Sequence, residues 1–291
     1  MTHCVTVGLN GSPESRAAAR WAAGEAELRG VPLDLVHVEE WLEHPPVHVS
    51  TTEERRHWAD SVLHDAAEET RRAYPSMTVR TRRVGGLPSP ALVDASAASD
   101  MLVIGSRALG SVAGFFLGST ASTTISEAKV PVILVRAPNH QETSLNDDRV
   151  QEPVVVGVDI GQPCDQLLAF AFTEAAYRGC PLLVVHSCSL PPVLGYAPSL
   201  QPGLVQAMIT GAANTLKQEI SPWSGKFPSV PVDVRAAVGH AAIQIPRLAA
   251  GAALVVVGRR TRDAAQGMHI GPITHAVIHH AISPVAVIAH E

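Results

Sequence analysis

The stretch Met101-Leu102-Val103-Ile104-Gly105-Ser106-Arg107-Ala108, carried on to Gly118-Ser119-Thr120, decides the fold. An apolar run of strand length breaks at Gly105, a segment of mostly small residues follows, and Ser119 opens a helix-like run to Lys129. A strand that ends at a glycine and returns through a loop to a fresh helix N-terminus can hold an anion. Backbone N–H groups point at it, the helix dipole favours it, and glycine permits close approach. The same glycines also serve simply to turn the chain from strand to helix, and the loop alone does not separate the two readings. Two standard phosphate motifs are absent. A P-loop carries Lys directly before its Ser or Thr, where Gly118 stands here, and the loop does not spell the dinucleotide fingerprint G-x-G-x-x-G.

Outward from this loop, elements alternate. Val5 to Asn10 reads as a buried strand, Ser12 as an N-cap with Pro13 at the first helical position, and Gly30 as the stop of a helix reaching Arg29. Leu33 to Val38 is a second strand. Thr51 or Thr52 caps a long amphipathic helix with Trp58, Val62, Leu63 and Ala66 on its apolar face. Met77 to Val84 is a strand, Pro88 to Ser99 a helix, Met101 to Gly105 a strand, and Val130 to Arg136 closes the unit. Nearly all-apolar strands alternating with helices predict an α/β fold, a parallel sheet covered on both faces.

The order then repeats. Gly8, Glu25, Gly30, Pro32 and His37 recur as Gly157, Glu174, Gly179, Pro181 and His186; Gly105, Gly118, Ile125, Pro131 and Val132 recur as Gly258, Gly271, Ile278, Pro284 and Val285. One constant offset serves each group, as in an internal duplication with a short insertion between. The polar segment Ala137 to Glu152 has no apolar period and reads as the linker. The predicted domains are residues 1–137 and 153–291, with 138–152 between them.

Across 291 residues, 46% are hydrophobic and 17% charged, as in a globular chain. A formal net charge of −5 argues against a nucleic-acid surface, and the short basic runs Arg80 to Arg83 and Arg259 to Arg262 read as solvated faces. No apolar run has the length of a membrane span, and the start lacks a signal-peptide pattern. Cys4, Cys164, Cys180 and Cys188 have no C-x-x-C spacing and read as reduced thiols, so the expected location is cytoplasmic.

The loop spacing resembles the nucleotide loop of the universal stress protein family, G-x2-G-x9-G-[S/T]. Gly105, Gly118 and Ser119 fill three of its four positions, and Ala108 stands at the second. The likeness extends over both copies. It implies two tandem Rossmann-like open sheets, each of five parallel strands in the order 3-2-1-4-5, with ligands at the reversal between strands one and four. It also implies an adenine-nucleotide site. An Asp at the end of strand one lies near the nucleoside, the backbone after strand two meets the base, and the glycine loop takes ribose and phosphates. Carried onto this chain, the candidate ATP-binding residues are Leu9, Asn10, Val38, Gly105, Arg107, Ala108, Gly118, Ser119 and Thr120. In the second copy they are Val158, Asp159, Gly258 and Gly271. Whether Mg²⁺ accompanies the nucleotide is open at this level.

Both copies depart from the pattern. The first has Asn10 for Asp, which loses charge-assisted strength, and Ala108 for glycine. The second keeps Asp159 but has β-branched Thr261 in the expected turn, and Pro272, which has neither hydroxyl nor N–H, after Gly271. Arg107 and Arg260 stand at matching loop positions, where they either screen phosphate or face solvent. His275 and His279 have metal-ligand spacing without a nearby carboxylate and read as a surface pair. His37 and His186 read as packed rather than catalytic. No nucleophile–base motif appears. The expected function is a non-catalytic adenine-nucleotide-binding or sensing module for stress response. The rivals are an interaction-only protein with degenerate sites and an ATP-cleaving enzyme on a related fold. The last strands of the copies are apolar, so pairing within the chain or as a homodimer is expected to cover them.

Overall fold

The computed structural model describes residues 3–40, 52–106, 117–137, 152–188, 202–261 and 270–290. It comprises two units, Met1–Ser144 and Leu145–Glu291. In the first, β1 (Val5–Leu9), α1 (Pro13–Arg29), β2 (Leu33–Glu39), α2 (Thr52–Ala73), β3 (Val79–Gly85), α3 (Pro88–Ser96), β4 (Met101–Ser106), α4 (Ser119–Glu127) and β5 (Val132–Arg136) follow one another. Every pairing is parallel. β1 lies between β2 and β4, with Val7 opposite both Leu35 and Val103; β3 flanks β2 and β5 flanks β4. The order is therefore β3-β2-β1-β4-β5.

The second unit repeats this with β6 (Val154–Gly157), α5 (Asp165–Arg178), β7 (Leu182–Cys188), α6 (Pro202–Lys226), β8 (Val232–Val238), α7 (Ala241–Leu248), β9 (Leu254–Arg260), α8 (Pro272–His280) and β10 (Val285–His290). Its order is β8-β7-β6-β9-β10, again all parallel.

Local chemistry explains the boundaries. Ser12, extended at φ −72° and ψ 159°, accepts the Ser15 N–H on its side chain at 3.1 Å, and Pro13 occupies the first turn of α1. Gly30 ends the helix in the left-handed conformation at φ 63°, where its N–H reaches the Ala26 and Glu27 carbonyls. Ala18, Ala22, Ala23 and Ala26 bury a flat face that lets α1 lie close on the sheet. In each unit the helices segregate: α1 with α2 and α5 with α6 on one face, α3 with α4 and α7 with α8 on the other.

The recurring Glu25 and Glu174 have a structural purpose. Glu25 is 1% exposed and bonded to Arg29 Nε at 2.6 Å, and wholly buried Glu174 pairs with Arg178 one turn on. Each pair neutralises a carboxylate that would otherwise be stranded in the interior. The basic run at β3 is also neutralised: Arg82 lies 3.1 Å from buried Asp34, and Arg83 lies 2.8 Å from Asp60. The expected solvated face at Arg259 is corrected. That side chain is 7% exposed, because it alternates inward on β9.

Between β1 and β4 the crossovers leave in opposite directions, so their carboxyl ends frame a crevice. Gly105 sets its depth. A Cβ there would lie 2.6 Å from Glu14 C and 2.7 Å from Ser15 N, both backbone atoms of the first turn of α1. At Gly258 the nearest atom is the imidazole tip of His290, at 2.4 Å, and this can swing away. Gly105→Ala is therefore expected to lower stability by about 1–3 kcal/mol, as overpacking against rigid atoms does. Gly258→Ala should cost less than half as much, as read from urea unfolding midpoints at unchanged slope.

Candidate functional site

At the carboxyl edge of the first sheet lies a cavity of about 510 Å³. The end of β1 supplies Leu9 and Asn10, the end of β2 supplies His37 and Val38, β4 supplies Gly105, and the start of α4 supplies Gly118, Ser119 and Thr120. The site residues read from the first copy thus converge on one space, apart from Arg107 and Ala108, which lie outside the described residues.

The α4 terminus forms one polar wall. Gly118 is the N-cap at φ −60° and ψ 157°, its carbonyl accepts from Ser122 N–H at 3.0 Å, and no side chain caps the helix. The Ser119, Thr120 and Ala121 N–H groups precede the first intrahelical bond and point out of the helix end. Any residue can adopt the Gly118 backbone conformation, and a Cβ there would meet nothing within 4 Å. Neither strain nor packing requires this glycine. What it provides is clearance in front of three open amides.

Asn10 is partly committed elsewhere, since its Oδ1 accepts the Ser12 N–H at 3.1 Å in a local turn. His37 is buried, and its Nδ1 lies 2.8 Å from the Leu9 carbonyl. A carbonyl only accepts, so Nδ1 carries the proton and neutral His37 keeps Nε2 as an acceptor. The second unit repeats the tether, with His186 Nδ1 2.9 Å from the Val158 carbonyl. This explains why a histidine recurs there: it ties the end of one strand to the next. Two further lining residues, Arg55 and Trp58 of α2, escaped sequence reasoning. The helical period placed Trp58 in the core, yet it is 50% exposed and meets His37 edge-on at 5.4 Å.

The second cavity, about 740 Å³, is lined by Val158, Asp159, His186, Gly258, Gly271 and Pro272, among others. Its polar groups are more committed. Asp159 faces Arg260 Nη2 at 3.7 Å, and the His290 ring lies over Gly258. The strained turn expected at Thr261 is absent. Its N–H donates to the His290 carbonyl at 2.7 Å, so the chain runs on beside β10 rather than turning, and no described non-glycine residue has positive φ.

Comparison with known proteins accords with this architecture. The sequence pattern of the Universal stress protein family matches residues 1–136 and 152–289. The chain belongs to the universal stress protein family. Universal stress protein Rv2005c of Mycobacterium tuberculosis is 34% identical, with 98% of this chain and 96% of that protein aligned. Rv2623 of the same organism is 33% identical over 97% and 95%. The crystal structure of a universal stress protein from Archaeoglobus fulgidus is 18% identical, with a TM-score of 0.72, covering 99% of this chain and 98% of that one. That likeness shows the fold.

Within this universal stress protein, Cys164 lines the second cavity. Burial and the nearby Glu219 and Asp165 carboxylates push the Cys164 thiol up to about 11, so the thiolate that a nucleophile needs is suppressed. His275 and His279 touch through Nε2 atoms 3.2 Å apart on the outer side of α8, and among the described residues no group of three metal-ligating side chains assembles. No helix is long and apolar enough to cross a membrane among the described residues.

Burial lowers the His37 pKa below its ordinary 6.5, against the opposing pull of the Leu9 carbonyl and Glu39. The unfolded chain therefore takes up this proton first as pH falls. The stabilisation is complete above 6.5 and is lost as pH drops through the folded-state value. His37→Gln is expected to remove this component, so the stability difference between wild type and variant should shrink on going from pH 7.5 to 5. Urea unfolding of both at each pH checks it.

Proposed function

We propose that the first unit binds an adenine nucleotide, with its phosphates at the N-terminus of α4 and its nucleoside toward the ends of β1 and β2. In this reading the protein acts as a nucleotide-sensing module without turnover. The observation that carries it is the uncapped α4 terminus, where Gly118 leaves clear space before the Ser119, Thr120 and Ala121 amides at a cavity wall. Such a terminus suits phosphate by hydrogen bonding and dipole together. The choice of adenine rests on the family resemblance of the loop. The proposed output is a ligand-biased change in conformation or assembly.

For the second unit, the interaction-only reading is favoured by specific commitments. Pro272 removes one amide, the Thr261 N–H is taken by His290, and Arg260 faces Asp159. Calorimetric titration of ATP, with and without Mg²⁺, into wild type, Gly118→Asp and Gly271→Asp tests both statements. An Asp at position 118 would cap α4 and so keep or raise stability by a few tenths of a kcal/mol. It would also take the amides and repel phosphate. ATP binding is expected to vanish in Gly118→Asp and to persist in Gly271→Asp. Wild-type behaviour of Gly118→Asp, or no binding to wild type at millimolar ATP, would overturn the reading.

A further inference from the structure

The α2 wall of the first cavity is a feature that neither strand ends nor glycine loop account for. Arg55 and Trp58 stand at i and i+3, one above the other on one helix face. Trp58 is half-exposed at the cavity, with its ring edge against His37. Gly11 makes room for it. At φ +75°, a Cβ on Gly11 would lie 2.7 Å from Trp58 Cζ2, so the indole is seated over the turn after β1. Arg55 Nε is buried without any hydrogen-bond partner. A guanidinium cannot shed its proton, so this donor is left unmet on a residue that lines the cavity.

The second unit has no such wall. β3 and β8 match Val79 with Val232, and buried Leu63 and Ala67 of α2 match buried Leu216 and Ile220 of α6. The same register puts Met208 at the place of Arg55 and Gly211 at the place of Trp58. Among the described residues, α6 contributes nothing to the lining of the second cavity.

We propose that Arg55 and Trp58 form a base-recognition wall specific to the first unit, stacking a planar heteroaromatic base on the indole and donating Arg55 Nε–H to a ring-nitrogen acceptor. This deepens, and rests on, the nucleotide reading of the same cavity. A purine fits the wall. Its π-face suits Trp58, its ring nitrogens suit Arg55, and an exocyclic amine meets the Glu39 and Glu40 carboxylates lining the same mouth. The wall stands beside His37 and Val38, across the cavity from the α4 amides, so it reads the base and leaves the phosphates to α4.

The test is calorimetric titration of ATP and of AMP into wild type, Trp58→Ala, Trp58→Phe, Arg55→Gln and Arg55→Lys. Loss of the indole is expected to weaken binding about tenfold, with Trp58→Phe intermediate, in line with base–aromatic stacking. Arg55→Gln and Arg55→Lys should each weaken it by about tenfold, because Lys restores the charge but not a donor fixed at Nε. The factors should be equal for ATP and AMP. Recovery in Arg55→Lys, or a loss that grows with the number of phosphates, would place Arg55 on the phosphates and overturn the assignment. Unchanged affinity in Trp58→Ala and Arg55→Gln, with wild type binding, would sink the wall alone. No binding to wild type would sink both the wall and the nucleotide reading.

Discussion

Backbone meets backbone where Gly105 of β4 passes the first turn of α1, and the crevice is built on that contact. Because Glu14 C lies where a side chain would begin, the helix can sit low against the strand end. Ser12 and Pro13 then fix the point at which the helix starts, and the alanine face lets the rest of α1 settle on the sheet. With α1 pinned on one side of the switch point and α4 starting on the other, the ends of β1 and β4 stay open between them. The loop glycine that resembles a ligand residue is thus first a packing residue. The second loop glycine, Gly118, has no packing partner, and the two act on different levels of the structure.

Much of the fold was legible because its signals are local. Apolar runs such as Met101 to Ile104 mark strands buried on both faces, Ser12-Pro13 and Gly30 punctuate α1, and the repeated spacing exposes the duplication. The site was legible only as far as the spacing of its backbone elements. Trp58 satisfied the period of a core face, yet it sits near the start of α2, where the helix borders the crevice at the carboxyl ends of the strands rather than the sheet's interior. Thr261 was misread for a related reason: motif spacing implied a turn, while pairing with His290 holds the chain alongside β10. The recurrence of His37 and His186 was visible. Its cause, a side-chain bond across two neighbouring strands, depends on pairing that no local pattern encodes.

The two units show how one skeleton carries unequal sites. Both keep the strand-end histidine tether and the buried glutamate–arginine pair, the parts that hold strands and helices in place. They differ in groups facing the cavities. The first presents three helix-end amides, and the second replaces one with Pro272. The first offers Arg55 and Trp58, where the second has Met208 and Gly211. Changes at these positions leave the hydrophobic core untouched, so a duplicated domain can lose or gain recognition without losing its fold.

This asymmetry bears on sensing. A ligand shifts a conformational equilibrium only by binding one arrangement better than another. In the first unit a nucleotide held at both ends would bridge α4, which follows β4, and α2, which follows β2. These helices lie on opposite faces of the sheet and belong to strands on either side of β1. Any change in their spacing would then alter the ligand's fit, and the ligand would favour one spacing in return. In the second unit α6 lends no described residue to the cavity, so a ligand at α8 would be held from one side. It would bind without resisting such a change. A grip at both ends is what would let occupancy become a conformational signal, and among the described residues α2 and α4 both line the cavity of the first unit.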